Sequence, residues 1–561
     1  MIGDAAMVEF VVAPDGLQVV DLSPAKRAPR AGLQIAVDLV EQGVISKTSA
    51  ILKTNPAQLG EHLHPQIAPD QEHDVICRGI AASSGAAIGR IVFSAEGVAA
   101  AAAKDEPAIL VRNETAPEDI RGMNRAAGVL TLTGGLTSHA AVIAQGIGVP
   151  CVVGASELRI DTSAQKLIAP GGRVISEGEM ITIDGTRGWV MLGGLDLVQS
   201  ELPEAFSTIM RWADETREIA VRANADSAEE ARLARRFLVD GIGLCRTEHM
   251  FYDTDRLTVM RELILAEDHK RREKALRRLL PMQRGDFVEL FEIMEGLPVT
   301  IRLLDPPLHE FLPTGQTDIR ELAAAMDQSE DTLRMRIDEM AEFNPMLGKR
   351  GVRLAVTMPE IYEMQARAIF EAAGLAARTT GYPVVPEIMV PLVSAKREVE
   401  LVRARIDAVA RTVEGEQGYK PNYKLGVMVE TPRAALRAGD LASESSFLSF
   451  GTNDLTQMTY GLSRDDSGRF MREYVHEGVF PEDPFLTLDL EGVGELLLTA
   501  AKRGRAANSN LTLGLCGEHG GDPASIRFCA LAGFDYVSCS PYRVPIARLS
   551  AAQATLLSER K

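Results

Sequence analysis

The segment 134–141, Gly-Gly-Leu-Thr-Ser-His-Ala-Ala, places a histidine where an apolar run typical of a strand meets an alanine-rich run typical of a helix. The two glycines let the backbone turn sharply, and Thr137 or Ser138 can cap the new helix. His139 then lies in the first helical turn, where unpaired N–H groups and the helix dipole favour an anion such as a phosphoryl group on imidazole. The segment therefore predicts a phosphate-carrying histidine. The alternative is a capping turn in which the histidine is incidental.

A second group of polar residues follows a series of apolar runs further along the chain. They are Arg246-Thr247-Glu248, Arg302 with Asp305-Pro306-Pro307 after it, Glu430, Gly451-Thr452-Asn453-Asp454 and Cys516-Gly517-Glu518-His519. If the apolar runs are strands of one barrel, their C-terminal ends meet at one mouth. These residues would then share a single site.

The residue types in this group suit a ligand that carries both a phosphate and a carboxylate. Arg246 and Arg302 can hold such groups through charged, forked hydrogen bonds. Glu430 and Asp454 offer hard oxygen ligands, which suit Mg²⁺, and a metal there would stabilise an enolate. Asn453 can donate to phosphoryl oxygens.

Cys516 is a candidate proton carrier for the enolate carbon. Each of these residues also has a structural alternative, because a strand-end arginine and glutamate often form an ion pair and a cysteine often only packs. Packing is the role we expect for Cys245, Cys529 and Cys539. For the two histidines at 249 and 519 we expect local hydrogen bonds rather than general-base chemistry.

Eight apolar strand candidates separated by helical stretches precede the polar residues. They lie at 221–224, 241–245, 299–304, 387–392, 426–430, 447–451, 513–516 and 536–539. Eight such units predict an α/β protein with a (β/α)8 TIM-type barrel that carries helical insertions. An open doubly wound sheet is the alternative, although that fold rarely runs to this length with eight strands.

The elements before the barrel predict two further parts. Residues 7–22 form apolar strands around Pro14-Asp15-Gly16, which predicts a β-hairpin, and residues 33–40 predict an amphipathic helix. A compact αβ unit around His139 follows, and residues 198–219 are expected to form a mostly helical connector. Within the αβ unit, strands are predicted at 89–93, 108–111, 128–132 and 180–183, and helices at 99–104, 117–123 and 138–145.

The length, amino-acid composition and net charge limit the kinds of protein that this chain can be. At 561 residues with 46% hydrophobic and 25% charged residues, the chain predicts a globular protein of two to four domains. Neither a membrane-spanning run nor a signal peptide is apparent, and six scattered cysteines without a CxxC pair suit a reducing, cytoplasmic setting. A net charge of −18 disfavours nucleic acid as a partner.

The motifs resemble those of phosphoenolpyruvate-utilising enzymes, pyruvate phosphate dikinase above all and the phosphotransferase-system enzyme I more distantly. The resemblance rests on residues 134–141 with Gly148-Val149-Pro150-Cys151-Val152 after them, and on the runs 241–250, 304–311, 344–346, 428–435, 450–457 and 515–521. These runs occur in family order from about residue 5 onward. One departure stands out: the family usually carries Ala-Arg-Gly after the histidine, whereas this chain has Ala144-Gln145-Gly146. An arginine at 145 would be expected to speed phosphorylation of the histidine by neutralising the phosphate.

By this resemblance the chain comprises a remnant hairpin and linker (1–75), a swivelling phosphohistidine domain (76–197), a connector (198–220) and a phosphoenolpyruvate/pyruvate-binding barrel (221–561). His139 would carry the phosphoryl group and Cys516 would move the enolate proton. The remaining implied roles are substrate binding by Arg246, Arg302, Glu430, Gly451, Thr452, Asn453 and Asp454, with Glu430 and Asp454 also holding Mg²⁺. Thr137 matches a position that is phosphorylated for regulation in some members.

The resemblance also implies partners. The family's ATP-grasp nucleotide domain is not recognisable in the chain, so we expect a half-enzyme whose second phosphoryl partner, an ATP-grasp protein or a carrier protein, acts in trans. A homodimer through the barrel is implied. One alternative is a phosphoenolpyruvate-protein phosphotransferase like enzyme I, although 76–197 leaves no room for its carrier-binding insertion. Another is a non-catalytic phosphoenolpyruvate sensor or regulator.

Overall fold

The computed structural model of the chain describes residues 3–25, 29–56, 59–60, 63–68, 71–102, 104, 106–115, 119–136, 138–161, 164–198, 202–252, 254–266, 268–313, 315–326, 328–342, 344–467 and 470–558. Across these ranges, no helix combines the length and the apolar character that a bilayer crossing needs. They contain an N-terminal hairpin, a small αβ domain and a closed parallel barrel. The α/β class with a TIM-type barrel is therefore confirmed.

The N-terminal part begins with an antiparallel hairpin of β1 (Ala6–Ala13) and β2 (Gly16–Pro24). Gly16 has a φ of 132°, which favours glycine and permits the tight turn between the strands. Helices α1 (Pro29–Glu41) and α2 (Lys47–Lys53) and a short strand β3 (Gln66–Ile67) follow. The predicted hairpin and amphipathic helix are both present.

A mixed eight-stranded sheet in the order β4-β14-β13-β6-β7-β8-β9-β5 forms the small domain, and β10 to β12 form a separate antiparallel sheet. The strands are β4 (Val75–Arg78), β5 (Ile80–Ser83), β6 (Ala86–Val92), β7 (Ala108–Arg112), β8 (Gly128–Thr131), β9 (Cys151–Val153), β10 (Arg159–Asp161), β11 (Lys166–Ala169), β12 (Arg173–Ser176), β13 (Met180–Asp184) and β14 (Trp189–Leu192). The helices are α3 (Ala95–Ala102), α4 (Ile120–Arg125) and α5 (His139–Ile147).

The four strands predicted for this domain are present, as are the helices expected over 99–104 and 138–145, with shifted ends. The helix expected over 117–123 is found at Ile120–Arg125, and residues 116–118 lie outside the described ranges. Seven further strands were not predicted. Each has only three or four residues, which is too short for a periodic pattern to reveal.

A short strand β15 (Leu197–Val198), paired with β3, and a helix α6 (Glu204–Thr216) lead into the barrel. Neighbouring barrel strands are parallel, and the last pairs with the first, so the sheet is closed rather than open. The strands are β16 (Ala220–Asn224), β17 (Ile242–Arg246), β18 (Val299–Arg302), β19 (Glu387–Val390), β20 (Lys424–Val429), β21 (Phe447–Phe450), β22 (Thr512–Leu515) and β23 (Tyr536–Cys539).

Helices surround the barrel, with additional ones inserted between strands. They are α7 (Ala228–Arg236), α8 (Thr254–Ile264), α9 (His269–Ile293), α10 (Gln316–Met326), α11 (Glu330–Met340), α12 (Val352–Thr357), α13 (Pro359–Thr380), α14 (Lys396–Gln417), α15 (Pro432–Leu436), α16 (Ala438–Ala442), α17 (Thr452–Tyr460), α18 (Arg464–Ser467), α19 (Met471–His476), α20 (Val493–Ala507), α21 (Pro523–Leu531) and α22 (Val544–Ser558). Buried side chains from strands and helices form one continuous core.

The fourth barrel strand is shorter than the sequence predicts. It was expected to run to residue 392 but ends at Val390, because Leu392 adopts a left-handed conformation with φ of 56°. A non-glycine residue in that conformation is strained, and such strain persists only where surrounding contacts hold it. In this conformation the backbone N–H of Leu392 faces the barrel mouth.

The opposite end of the barrel contains a buried ionic group. Arg222 from β16 donates to Glu387 at 2.7 Å, and its guanidinium lies 4.0 Å from the ring centroid of Tyr536. Thr300 donates to the same Glu387 oxygen at 2.7 Å, and Lys424 lies 3.2 Å from the other oxygen. This group ties five strands together away from the mouth.

Replacing Arg222 with Met is expected to lower the free energy of unfolding of the barrel by about 3 kcal/mol, because Glu387 would keep its buried charge after losing its main partner. Urea denaturation followed by circular dichroism measures the change. Arg232→Met is the control, since Arg232 pairs with Glu289 at the surface with 59% of its side chain exposed and should contribute no more than about 1 kcal/mol. Equal losses in the two variants would contradict a structural role for the buried group.

Candidate active site at the barrel mouth

A cavity of about 620 Å³ opens at the C-terminal ends of the barrel strands. Among its lining residues are seven of the predicted site residues, namely Arg246, Arg302, Glu430, Gly451, Asn453, Asp454 and Cys516. Its other side is formed by the small domain, through Ile143 and Ile147 of α5 and Val149 just after it. The structure therefore brings the strand ends together in one site and places the helix that begins at His139 against that site.

Three carboxylates converge in the cavity wall. Oxygens of Asp305, Glu430 and Asp454 lie within 4.8 Å of one another. Burial raises the pKa of Glu430 well above its usual range, and the negative charges of Asp305 and Asp454 raise it further. Glu430 accepts a hydrogen bond of 2.5 Å from the N–H of Leu392, so the strained turn after β19 fixes this carboxylate. The positive charges nearby offset the negative charge of this cluster only in part.

Two arginines supply that compensation. Arg350 lies 2.5 Å from Asp305 and 2.9 Å from Asp454, and Arg302, at the end of β18, lies 3.0 Å from Asp305 and also pairs with Glu248. Burial acts to raise the pKa of Asp305, but Arg350 and Arg302 hold it below its ordinary value. Arg302 Nε and Glu248 Oε2 are buried without a hydrogen-bond partner. Buried polar atoms of this kind suit a ligand that enters the cavity.

Arg246 is held by the loop after β16. Its backbone N–H donates to Asp226 at 2.6 Å, and the second oxygen of Asp226 lies 2.9 Å from His249 Nδ1. Burial acts to lower the pKa of His249, but Asp226 outweighs burial and raises it. His249 therefore pairs with a neighbouring carboxylate, and Asp226 connects it to Arg246 at the end of β17.

Packing explains why the loop after β21 begins with a glycine. A Cβ on Gly451 would lie 2.9 Å from Met428 Sδ and 3.0 Å from Glu430 Oε2, so a side chain there would displace the carboxylate. Asn453 Oδ1 accepts from the N–H of Glu518 at 3.0 Å, which engages its oxygen and leaves the NH₂ to serve a ligand. Thr452 is fully buried beneath the cavity.

His519 bonds Thr452 Oγ1 at 2.7 Å through Nδ1 and the carbonyl oxygen of Pro484 at 2.9 Å through Nε2. Burial lowers its pKa. Both ring nitrogens are engaged, which suits a structural histidine that supports the loop.

Cys516 follows β22 and is 2% exposed, packed among Leu244, Met389 and Met428. Its sulfur accepts a hydrogen bond of 3.2 Å from Ser449 Oγ. Burial raises the pKa of the thiol to about 11, although Ser449 and Arg302 act to lower it. The thiol therefore stays protonated at neutral pH and can act as a proton donor in the cavity.

The His139 segment has the local structure that the sequence predicts. Ser138 caps α5 by accepting from the N–H of Ala141, and a Cβ on Gly134 would lie 2.9 Å from Ser138 Cβ. His139 is the first residue of the helix, one turn before Ile143. Thr137 and the side chain of His139 lie outside the part of the chain that the structure describes.

The residues at the mouth fit a divalent cation. Three carboxylates offer the hard oxygen ligands that Mg²⁺ prefers, and burial together with the charges of Asp305 and Asp454 raises the pKa of Glu430 despite the two arginines. A cation would offset these negative charges. The predicted ligands Glu430 and Asp454 are joined here by Asp305.

Sequence reasoning missed two residues of this site, Arg350 and Asp226. It placed Asp305 at the strand end after Arg302 but assigned it no role as a metal ligand. Arg350 precedes a glycine and a short helix rather than a strand, and nothing in its surroundings indicates a site. Asp226 follows β16 directly, and that strand end was the signal that could have found it.

Comparison with known proteins agrees with this arrangement. Residues 200–556 match the family described as "PEP-utilising enzyme, PEP-binding domain", and residues 104–188 match "PEP-utilising enzyme, mobile domain", where PEP is phosphoenolpyruvate. The chain belongs to the PEP-utilising enzymes.

Several curated relatives are similar over almost the whole chain. Pyruvate, phosphate dikinase of Rhizobium meliloti is 55% identical over 99% of this chain and 62% of its own length. Pyruvate, phosphate dikinase 1 of Arabidopsis thaliana is 48% identical, covering 99% and 58%, and the Clostridium symbiosum enzyme is 46% identical, covering 99% and 63%. The chain thus spans about three fifths of the length of these relatives.

We predict that Asp454→Asn and Glu430→Gln each weaken Mn²⁺ binding at least tenfold, because each removes a charged oxygen ligand from the cluster. Isothermal titration with MnCl₂ measures the affinity without any turnover. Glu229→Gln is the control, since Glu229 lines the same cavity outside the cluster and its loss should change the affinity by less than about twofold. An unchanged affinity in both cluster variants would show that these carboxylates only anchor the arginines.

Proposed function

We propose that the chain is a phosphotransferase that moves a phosphoryl group between phosphoenolpyruvate and His139, with Mg²⁺ at the barrel mouth. In this proposal residues 76–197 form the unit that carries the phosphoryl group and residues 221–561 form the substrate-binding unit. The observation that carries the proposal is the shared cavity. The helix that begins at His139 and the strand-end cluster line the same space.

The arginines are the anion-binding groups in this proposal. Arg246 and Arg302 would hold the phosphate and the carboxylate of phosphoenolpyruvate, and Arg302 Nε is a buried donor without a partner that such a ligand would satisfy. The NH₂ of Asn453 would donate to a phosphoryl oxygen, because its carbonyl oxygen is already engaged. Gly451 leaves the space that a side chain would close.

Glu430 and Asp454 would hold the metal, and Asp305, bound to both neighbouring arginines, would hold the surrounding charges in place. Bound Mg²⁺ would stabilise the negative charge that develops on the enolate and carboxylate oxygens.

The proposed transfer breaks the bond between phosphorus and the enol oxygen and forms a bond between phosphorus and an imidazole nitrogen of His139. The enolate that remains takes a proton at its methylene carbon from the Cys516 thiol, which gives pyruvate. The thiolate then recovers its proton from solvent. A thiol with a pKa of about 11 suits proton donation, since it carries its proton at neutral pH.

The proposal also covers what receives the phosphoryl group from His139. The relatives are named for pyruvate and phosphate, which supports paired acceptors of that kind. The expectations of a trans-acting ATP-grasp or carrier protein and of a homodimer through the barrel stay predictions.

Incubation with ³²P-labelled phosphoenolpyruvate and Mg²⁺ tests the proposal directly. We expect label on the protein that is stable in base and labile in acid, as a phosphohistidine is, and that disappears when EDTA is present. His139→Ala should remain unlabelled. Label that survives acid, or label on His139→Ala, would point to another residue.

We predict that His139→Ala abolishes labelling yet retains Mg²⁺-dependent exchange of pyruvate methyl protons with solvent. The exchange needs only the barrel, whereas phosphoryl transfer needs both parts of the cavity. Cys516→Ala should reduce exchange at least a hundredfold, the usual range for loss of a general acid–base group. Proton NMR of pyruvate in deuterated buffer measures exchange, and loss of exchange in folded His139→Ala would contradict this division of roles.

The raised thiol pKa also predicts how exchange depends on pH. Removing a proton from pyruvate requires the Cys516 thiolate, so the rate should rise up to tenfold per unit between about pH 7 and about pH 9, below the thiol pKa of about 11. Ser449→Ala removes a hydrogen bond that lowers this pKa, so exchange should slow throughout the range. Ser445→Ala, at a buried serine away from the cavity, should leave the profile unchanged; a flat profile in the parent protein would exclude the thiolate as the base.

A further inference from the structure

Two adjacent barrel residues, Tyr542 and Arg543, contact the C-terminal end of α5. They lie in the short 3-10 turn Pro541–Arg543 after β23, and Tyr542 lines the cavity. Arg543 Nη2 donates to the side-chain oxygen of Gln145 at 3.1 Å. The ring of Tyr542 lies against Gly148, the residue that ends the helix. The barrel thus contacts the phosphohistidine helix at the end opposite His139.

Gly148 is suited to this contact in two ways. Its φ of 70° is the left-handed conformation that commonly ends a helix and that favours glycine. A Cβ there would fall 1.9 Å from Tyr542 Cε2, so no side chain fits between the helix end and the ring. The close approach of the two domains therefore depends on the same residue that terminates α5.

The Tyr542 ring also contacts the linker before the small domain. His64 stacks on the ring with centroids 4.5 Å apart. His64 in turn lies against the small domain, since a Cβ on Gly85 would fall 2.7 Å from His64 Cβ. Burial lowers the pKa of His64 to about 4, so the stack is uncharged at neutral pH. Tyr542 is therefore enclosed between the linker and the small domain.

Gln145 makes a bridging pair of hydrogen bonds. Its NH₂ group donates to the carbonyl oxygen of Ala82 within the small domain at 2.6 Å, and its oxygen accepts from Arg543. The amide is thus oriented by its own domain so that its oxygen faces the barrel cation. An arginine at position 145 could still donate to Ala82, but it would set a second guanidinium against Arg543.

We propose that Tyr542 and Arg543 form a docking clamp that grips α5 at Gly148 and Gln145 and so positions His139 over the barrel mouth. The proposal rests on the phosphoryl transfer proposed above, for which these are positioning residues and not catalytic ones. Residues 139 and 145 are about 9 Å apart along the helix axis, from a rise of 1.5 Å per residue. Fixing the C-terminal half of α5 therefore fixes where its N-terminus lies.

The clamp changes the expectation for position 145. The sequence alone favoured a faster transfer with arginine there, because a cation would neutralise the phosphate. In the structure a barrel cation already lies against Gln145, so Gln145→Arg is expected to weaken docking and slow the transfer.

Domain docking can be measured without any substrate. All six native cysteines are buried, so cysteines introduced at the exposed Lys166 of the small domain and the exposed Ser509 of the barrel can be labelled selectively for single-molecule energy transfer. The parent protein should show a major population at one transfer efficiency, the docked state. Gln145→Arg should lower the ratio of docked to undocked molecules about tenfold, as expected from losing a hydrogen bond to a charged group.

The reciprocal exchange is the decisive control. Gln145→Arg combined with Arg543→Gln restores one guanidinium and one amide oxygen in swapped positions, and should return the ratio to within about twofold of the parent. Arg505→Gln, which removes an ion pair with Asp535 outside the mouth, should leave the ratio unchanged. Equal ratios in the parent and Gln145→Arg, or no recovery in the double variant, would overturn the clamp.

A second readout separates positioning from chemistry. Arg543→Gln should slow labelling of His139 by phosphoenolpyruvate at least fivefold and leave pyruvate proton exchange within about twofold, because exchange needs the barrel alone. Equal loss of both activities would contradict a positioning role. If the parent protein showed neither activity, the proposed phosphoryl transfer would fail, while the energy-transfer ratios would still decide whether the clamp exists.

Discussion

The close approach of three carboxylates, two of them buried, is the constraint on which the barrel mouth depends. Oxygens of Asp305, Glu430 and Asp454 are brought within 4.8 Å by three different strand ends, and burial raises the pKa of Glu430 well above its usual range. Two arginines and a backbone N–H offset part of the cost of this close approach, and the N–H comes from Leu392, in the strained turn after β19. The arrangement costs stability, and its three converging carboxylates are the oxygen ligands that a divalent cation prefers.

Along the barrel axis, a buried ion pair that stabilises the fold lies at one end and the candidate site lies at the other. At one end, Arg222 and Glu387 form a buried pair whose partners satisfy one another. At the mouth, Arg302 and Glu248 keep buried atoms without partners, and Glu430 keeps a raised pKa. Unsatisfied polar groups are tolerated where a ligand is to supply the missing contacts. The small domain adds the remaining wall of the cavity through Ile143, Ile147 and Val149.

Much of this could be predicted from the sequence, and the reasons are local. All eight barrel strands are short apolar runs, and the polar residues at the ends of five of them pointed to a site that includes Arg246, Arg302, Glu430 and Cys516. The capping turn before His139 was readable because glycine and serine have specific backbone roles there. The family motifs then connected these separate segments, which spacing alone could not do.

What escaped prediction depends on contacts between distant segments. Arg350 reaches the site from a loop with no strand before it, and its pairing with Asp305 and Asp454 exists only in the folded chain. The end of β19 at Val390 follows from the conformation of Leu392, which no residue preference indicates. The contact of Gln145 with Arg543 joins residues almost four hundred positions apart, so the sequence showed only that an arginine was missing at 145.

A crystal structure of the protein with Mn²⁺ and oxalate, an analogue of the pyruvate enolate, tests the central claim most directly. The account predicts an anomalous manganese peak coordinated by Glu430 and Asp454, with oxalate between the metal and the arginines at 246 and 302. Manganese bound elsewhere at saturating concentration, with Asp454 still paired to Arg350, would contradict it.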